Sequence, residues 1–270
     1  MNRKKYSLAT SCAYGHRSGP RESGVVVYTC VTDNYDDITQ LEEVGSREDF
    51  VCFSDRPAKA PATWEKRPLQ SPRRLRSGHD INRFHKVFPH RIFPDARYSV
   101  YIDGNVSFHQ SYGTLVDKLR ASGAALAAFS HPDGRTVWEE SEACARLGKL
   151  DRDELAKRNK QLDQYSDDGF DLSEMVTANY LLVRDHSAPA LEASMSLWRS
   201  HLFEFTKRDQ LSLNYVLWKT GLPWAYLDRD LGVDPAALVR LPHRGVVWSR
   251  TRKRVRVGVR RLRRFGKREL

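Results

Sequence analysis

Asp103 and Asn105 stand one residue apart across Gly104, where the apolar run Tyr98 to Ile102 stops and before Val106 and Phe108 resume it. A carboxylate and an amide on so short a turn can reach one ligand together, and the glycine lets the backbone approach closely. Hard oxygens of this kind suit Mg2+ or Mn2+, which are commonly held by one or two carboxylates plus substrate phosphates. The same residues also make an ordinary turn, because Asp, Gly and Asn are common turn formers. Upstream, Arg83 and Lys86 are three apart and share a helical face. Beside a metal site two such cations would neutralise a diphosphate; taken alone, they read as a solvated basic face.

Other candidates carry a structural reading next to a chemical one. In the stretch Thr206 to Gln210, Thr206 and Asp209 have the spacing of a capping box, with Thr206 at the N-cap. Alternatively, Asp209 is a carboxylate presented at a helix start, able to accept a hydrogen bond from a substrate hydroxyl or act as a general base. Thr136 and Glu139 pose the same choice, leaving Glu140 as the freer carboxylate for an acceptor. His243, or His131 in its place, is a candidate third ligand to metal or phosphate. His79, His85 and His90 have no regular metal spacing and read as surface or capping groups.

The elements that position these residues alternate. VVVYTCV (25–31) reads as a central strand ended by Thr32, Asp33 and Asn34, and FVCFS (50–54) as a second, stopped at Asp55. A third, short strand is expected within 64–69. A helix from about 80 should end near Val87, because Pro89 removes a donor. Strands at 98–102, 124–130 and 178–184 follow, with helices over 137–147, 151–165 and 189–202. A last helix, within 208–221, is stopped by Gly221. The alternation predicts an α/β fold with ligands collecting at the carboxyl ends of its strands. Neither GxGxxG nor GxxxxGK[ST] occurs, which weakens the dinucleotide and P-loop readings.

The chain has 270 residues, is 40% hydrophobic and contains six Trp, a globular composition. Its net charge of +11 looks like that of a nucleic-acid binder until it is divided by region. Residues 1–22 carry five basic and one acidic side chain, and residues 250–270 carry eleven and one. The remaining 29 basic and 32 acidic residues leave the body slightly negative. We therefore expect a flexible basic N-terminal segment (1–22), a folded body (23–249) and a basic tail (250–270). Nucleic acid is not the expected partner of the body.

The tail reads as a surface anchor for anionic lipid, or as a solvated segment. Cys12, Cys30, Cys52 and Cys144 show no CxxC spacing and fit a reducing compartment. No run nears the roughly 18 apolar residues of a membrane span, and no signal-peptide core follows the basic start. The expected location is cytoplasmic, peripheral at the inner membrane face if the tail anchors it.

Taken in order, VVYTCVTDNYDD, VCFSD, RFHKVFPHRIFPDARYSVYIDGN, HPDGRTVWEE and RDQLSLNYVLWKTG resemble one family. It is the glycosyltransferase-like domain family of bacteria and plants, long known as a domain of unknown function, with plant Golgi members tied to mucilage polysaccharide. The resemblance covers about 24–220. It implies a single GT-A-like, Rossmann-like α/β domain with a mixed, mainly parallel central sheet flanked by helices. It further implies a nucleotide-sugar donor, a glycan or other hydroxyl acceptor, and a divalent metal.

By the same resemblance, Tyr28, Thr29 and Asp33 would line the nucleotide pocket, with Asp55 near the base. Arg83 and Lys86 would face the donor phosphates or sugar, and Asp103 and Asn105 would take the DxD place. Asp209 and Gln210 would stand beside the acceptor. Asn105 departs from the pattern by removing one charge from the metal site. Two alternatives compete with a transferase: a non-catalytic module binding nucleic acid or anionic surfaces through the tails, and a metal-dependent phosphoester hydrolase.

Overall fold

The β-branched run Val25–Val31 forms β1, buried along its whole length, as a strand covered on both faces must be. Parallel neighbours flank it: β2 (Asp49–Ser54) and β4 (Tyr98–Ile102). The short β3 (Glu65–Arg67) adds in parallel to β2. On the other side β7 (Thr177–Asp185) runs antiparallel between β4 and β6 (Leu126–Ser130), and β8 (Trp224–Tyr226) pairs in parallel with β6. The computed structural model describes residues 24–39, 48–56, 59–70, 75 and 77–243. Their main sheet has the order β3-β2-β1-β4-β7-β6-β8. The expected mixed, mainly parallel sheet of an α/β domain is therefore present. Segments 1–22 and 250–270, and the domain limits expected at them, lie outside the described residues.

Alternation along the strands divides the core between two faces. Val26, Tyr28 and Cys30 point into one, together with α1 (Gly78–Val87), α2 (Pro89–Ile92), α4 (Val137–Arg146), α5 (Arg152–Asp167), α6 (Leu191–Glu204) and α7 (Leu213–Thr220). Val25 and Val27 point into the other, against α3 (Tyr112–Ser122) and an antiparallel ribbon of β5 (Val106–Phe108) and β9 (Leu238–Arg240).

Local chemistry explains most element ends. Ser77 caps α1 by accepting from the Asp80 amide, and Thr136 and Glu139 form the expected capping box of α4. Gly221 closes α7 in a left-handed conformation at φ 64°.

The capping box expected at Thr206 does not form. Thr206 is fully buried and its Oγ1 donates instead to Gln161 Oε1 at 2.8 Å. Asp209–Leu211 is a 3-10 turn, and α7 begins only at Leu213. The reason is electrostatic: the Asp209 carboxylate is drawn to two cations of α1 rather than to backbone amides.

Candidate active site

Because β1, β2, β4 and β6 run in the same direction, Asp33, Asp55, Asp103 and His131 all fall at one edge of the sheet. The antiparallel β7 brings its first residues, Thr177 and Asn179, to the same edge. Asp103 is fixed by its backbone: its amide donates to the Tyr180 carbonyl at 2.8 Å, and the Val106 amide closes the turn on the Asp103 carbonyl at 3.0 Å. Gly104 has no alternative there, since a Cβ would lie 2.4 Å from Val31 Cγ2.

The cations of α1 meet this turn. Lys86 Nζ lies 2.8 Å from Asp209 Oδ2 and 3.5 Å from Asp103 Oδ1, with only 2% of its side chain exposed. It also sits 4.9 Å from the centre of the Tyr101 ring, whose hydroxyl donates to Asp103 Oδ1 at 2.7 Å. Arg83 Nη2 is 3.5 Å from Asp209 Oδ2. Burial opposes the charge on Asp209, but Arg83 and Lys86, with Arg208 farther off, hold the carboxyl well below the usual range. Burial likewise opposes the charge on Arg83, and Asp209 together with Tyr101, Asp103 and Tyr35 outweighs it, raising the guanidinium above its ordinary value. Lys86 is thus a buried bridge between the acidic turn and the 3-10 turn. The sequence set Asp209 apart, as a cap or an acceptor residue; the fold brings it into one cluster with Asp103, Arg83 and Lys86.

A polar chain at the start of β7 adds residues that sequence reasoning missed. Asn214 accepts from the Thr177 amide at 3.0 Å and donates to the Met175 carbonyl at 2.9 Å, which fixes its orientation. Thr177 Oγ1 then donates to Asn179 Oδ1 at 2.7 Å. Asn179 Nδ2 is buried without a partner. Gln210 Nε2 donates to the Thr177 carbonyl at 3.3 Å, tying the 3-10 turn to this chain. Only an Asn in the strand-like run ANYLLVR hinted at this.

Several expected residues are placed differently. Tyr28 and Thr29 are both 0% exposed, so neither has surface to offer a nucleotide. Strand alternation turns Tyr28 into the α1 face of the core. Glu140 is no free carboxylate either: it is 1% exposed, with Arg135 Nη1 at 2.7 Å and Cys144 Sγ donating to it at 3.3 Å. His131 lies 3.6 Å from the same Glu140, and its Nδ1 accepts from the Asp133 amide, so it belongs to that cluster. His85, expected at the surface, is 0% exposed, donating to the Ile81 carbonyl and accepting from the Gln70 amide.

At the ends of β1 and β2, Asp33 and Asn34 take left-handed backbone at φ 54° and 55°, rare outside glycine. The Asp33 amide donates to Asp55 Oδ2 at 2.9 Å. A shallow pocket opens beside them, lined by Val31, Asn34, Asp36, Asp37, Ser54 and Lys59. His243 closes over this loop by pairing with Asp36 at 2.8 Å, and that hydrogen bond raises its pKa.

Asn105 is 3% exposed, and its Nδ2 donates to the Leu241 carbonyl at 2.6 Å. That leaves Asn105 Oδ1 buried and unpartnered. An orphaned amide oxygen two residues from the Asp103 carboxylate is the donor chemistry that a divalent ion with few protein ligands would use. Among the described residues no three His, Cys, Asp or Glu side chains gather to hold an ion by themselves.

A family model described as TOD1/MUCI70, glycosyltransferase-like domain, matches residues 76–226, which include α1, the acidic turn and the Asp209 turn. The chain belongs to this family. In the TOD1/MUCI70 family it is similar to the probable hexosyltransferase MUCI70 of Arabidopsis thaliana, 27% identical over 216 residues, covering 72% of this chain. The chain spans 37% of the length of that relative. Among solved structures it is similar to the apo structure of WbbM, a bifunctional glycosyltransferase, at 13% identity and a TM-score of 0.47. That match covers 76% of this chain and 39% of the other.

Proposed function

We propose that this chain transfers a sugar from a nucleoside diphosphate donor to a hydroxyl of a glycan or similar acceptor. The observation that carries this reading is the bridge of Lys86 between Asp103 and Asp209, with Arg83 beside it, at the carboxyl edge of the sheet. Breaking the bond between sugar and diphosphate develops negative charge on the leaving oxygens. Donors fixed in advance and shielded from water stabilise such charge best. Lys86 and Arg83 are such donors, and Asp209 holds both in place before substrate arrives.

The nucleoside would lie at the ends of β1 and β2, beside Asp33 and Asp55. Asp103 and Asn105 would hold Mn2+ or Mg2+ together with the diphosphate, and the ion would add Lewis-acid stabilisation of the leaving group. Asp209 then acts by orienting the cations and an acceptor hydroxyl. A carboxylate held so far below its usual range is a weak proton acceptor near neutral pH.

A panel of UDP- and GDP-sugars, with and without Mn2+, checks this reading by thermal shift. Ligands that bind the folded state raise its melting temperature. The reading expects at least one nucleotide-sugar to do so and to release UDP or GDP when acceptor is added. A full panel without a shift would refute it.

A further inference from the structure

The end of α1 is held in an unusual way. Pro89 has no amide hydrogen, so the His85 carbonyl one turn earlier lacks its helical donor. Tyr28 supplies it: its hydroxyl donates to the His85 carbonyl at 3.1 Å. Arg184, reaching across from β7, donates from Nη1 to the Tyr28 hydroxyl at 3.2 Å and from Nη2 to the Lys86 carbonyl at 2.8 Å.

Arg184 is 0% exposed, and among the described residues no carboxylate pairs with it. Its Nε is buried without a partner. A guanidinium taken from water on these terms is expensive, and its favourable contacts are a phenol and the negative end of a helix. An apolar residue would fill the core at lower cost. What Arg184 adds is a rigid hold on the one backbone carbonyl that belongs to Lys86.

We infer that Arg184, with Tyr28, is a positioning residue that holds the backbone of Lys86 so that its ammonium bridges Asp209 and Asp103. The link to transfer rests on the function proposed above; the link to Lys86 does not. Arg184 touches no substrate and acts through the end of α1. Small displacements of a charged group that must meet a diphosphate are costly, so the hold bears on ligand affinity as well as on packing.

The test uses the full chain with 13C-labelled lysine, the Lys86 signal being assigned by its loss in Lys86→Met. In Arg184→Met the Lys86 side-chain signal is expected to move toward those of exposed lysines. An unmoved signal overturns the inference. If Arg184→Met does not fold, Tyr28→Phe is read in the same way, and a signal unchanged in that variant contradicts it.

A second arm measures UDP and GDP affinity by calorimetry. Arg184→Met should weaken binding by about tenfold, and by much less when Lys86→Met is already present. Equal losses on both backgrounds would show that Arg184 does not act through Lys86. If neither nucleotide binds the unmodified chain, the proposed function is at fault for these donors, and the Lys86 signal still decides the role of Arg184.

Discussion

At the scale of single residues, the site is a charge balance in a buried place. Removing one member of a buried ion pair leaves the other uncompensated, which typically costs about 3 kcal/mol or more. Lys86→Met should therefore lower stability in urea as well as nucleotide affinity. Asp209→Asn should reduce turnover by about 100-fold or more, because the cations lose the anion that sets them; steady-state kinetics reads this. Asn105→Asp separates two roles of one side chain. The added charge should tighten Mn2+ binding by calorimetry. Loss of the donor to the Leu241 carbonyl should at the same time lower the melting temperature, by the equivalent of about 1–3 kcal/mol. The types and spacings of Asp103, Arg83, Lys86 and Asp209 were legible in the sequence. Their pairing was not, because it depends on how α1, packed on β1 and α6, brings Lys86 to the turn after β4. Glu140 shows the opposite error: its spacing suggested freedom, but Arg135, on the preceding turn, claims the carboxylate.

At the scale of elements, turns are held by sterics as much as by hydrogen bonds. Gly104→Ala would bring a Cβ to within 2.4 Å of Val31 Cγ2. The acidic turn must then shift, and overpacking of this kind costs about 1–3 kcal/mol; denaturant unfolding would register it together with weaker metal binding. Gly78 meets a similar limit, since a Cβ there would lie 1.9 Å from Asp33 Oδ2. Buried strands were readable as apolar runs, and α1 ended where Pro89 said it would. The break between the 3-10 turn and α7 was not readable, because local capping preference pointed to a continuous helix. Tertiary attraction between Asp209 and Lys86 overrides that preference. The short β8 and β9 carry too few residues for periodicity to speak.

At the scale of the whole molecule, acid should unfold the protein earlier than its carboxylates alone would suggest. Burial holds His85 at about 4, against its ordinary 6.5, and His186 also falls to about 4, with burial the main cause and Arg184 adding to it. The unfolded chain therefore binds more protons in this window, so stability is complete above about pH 6.5 and declines as pH falls through 4. For His85 the loss amounts to about 3 kcal/mol, which urea melts at pH 7, 5.5 and 4 would trace. The α/β class was legible in the alternation of elements. The antiparallel insertion of β7 was not, since strand direction leaves no mark on composition, yet it is β7 that delivers Asn179 to the site and, from its other end, Arg184 to the end of α1. The central claim is that the cations at the end of α1 receive the diphosphate of a nucleotide-sugar. Calorimetric titration of UDP and GDP, with Mn2+, into the full chain and into Lys86→Met tests it most directly. The account predicts that at least one nucleotide binds the unmodified chain and loses most of its affinity in the variant; equal affinity for both proteins, or no binding to either, would contradict it.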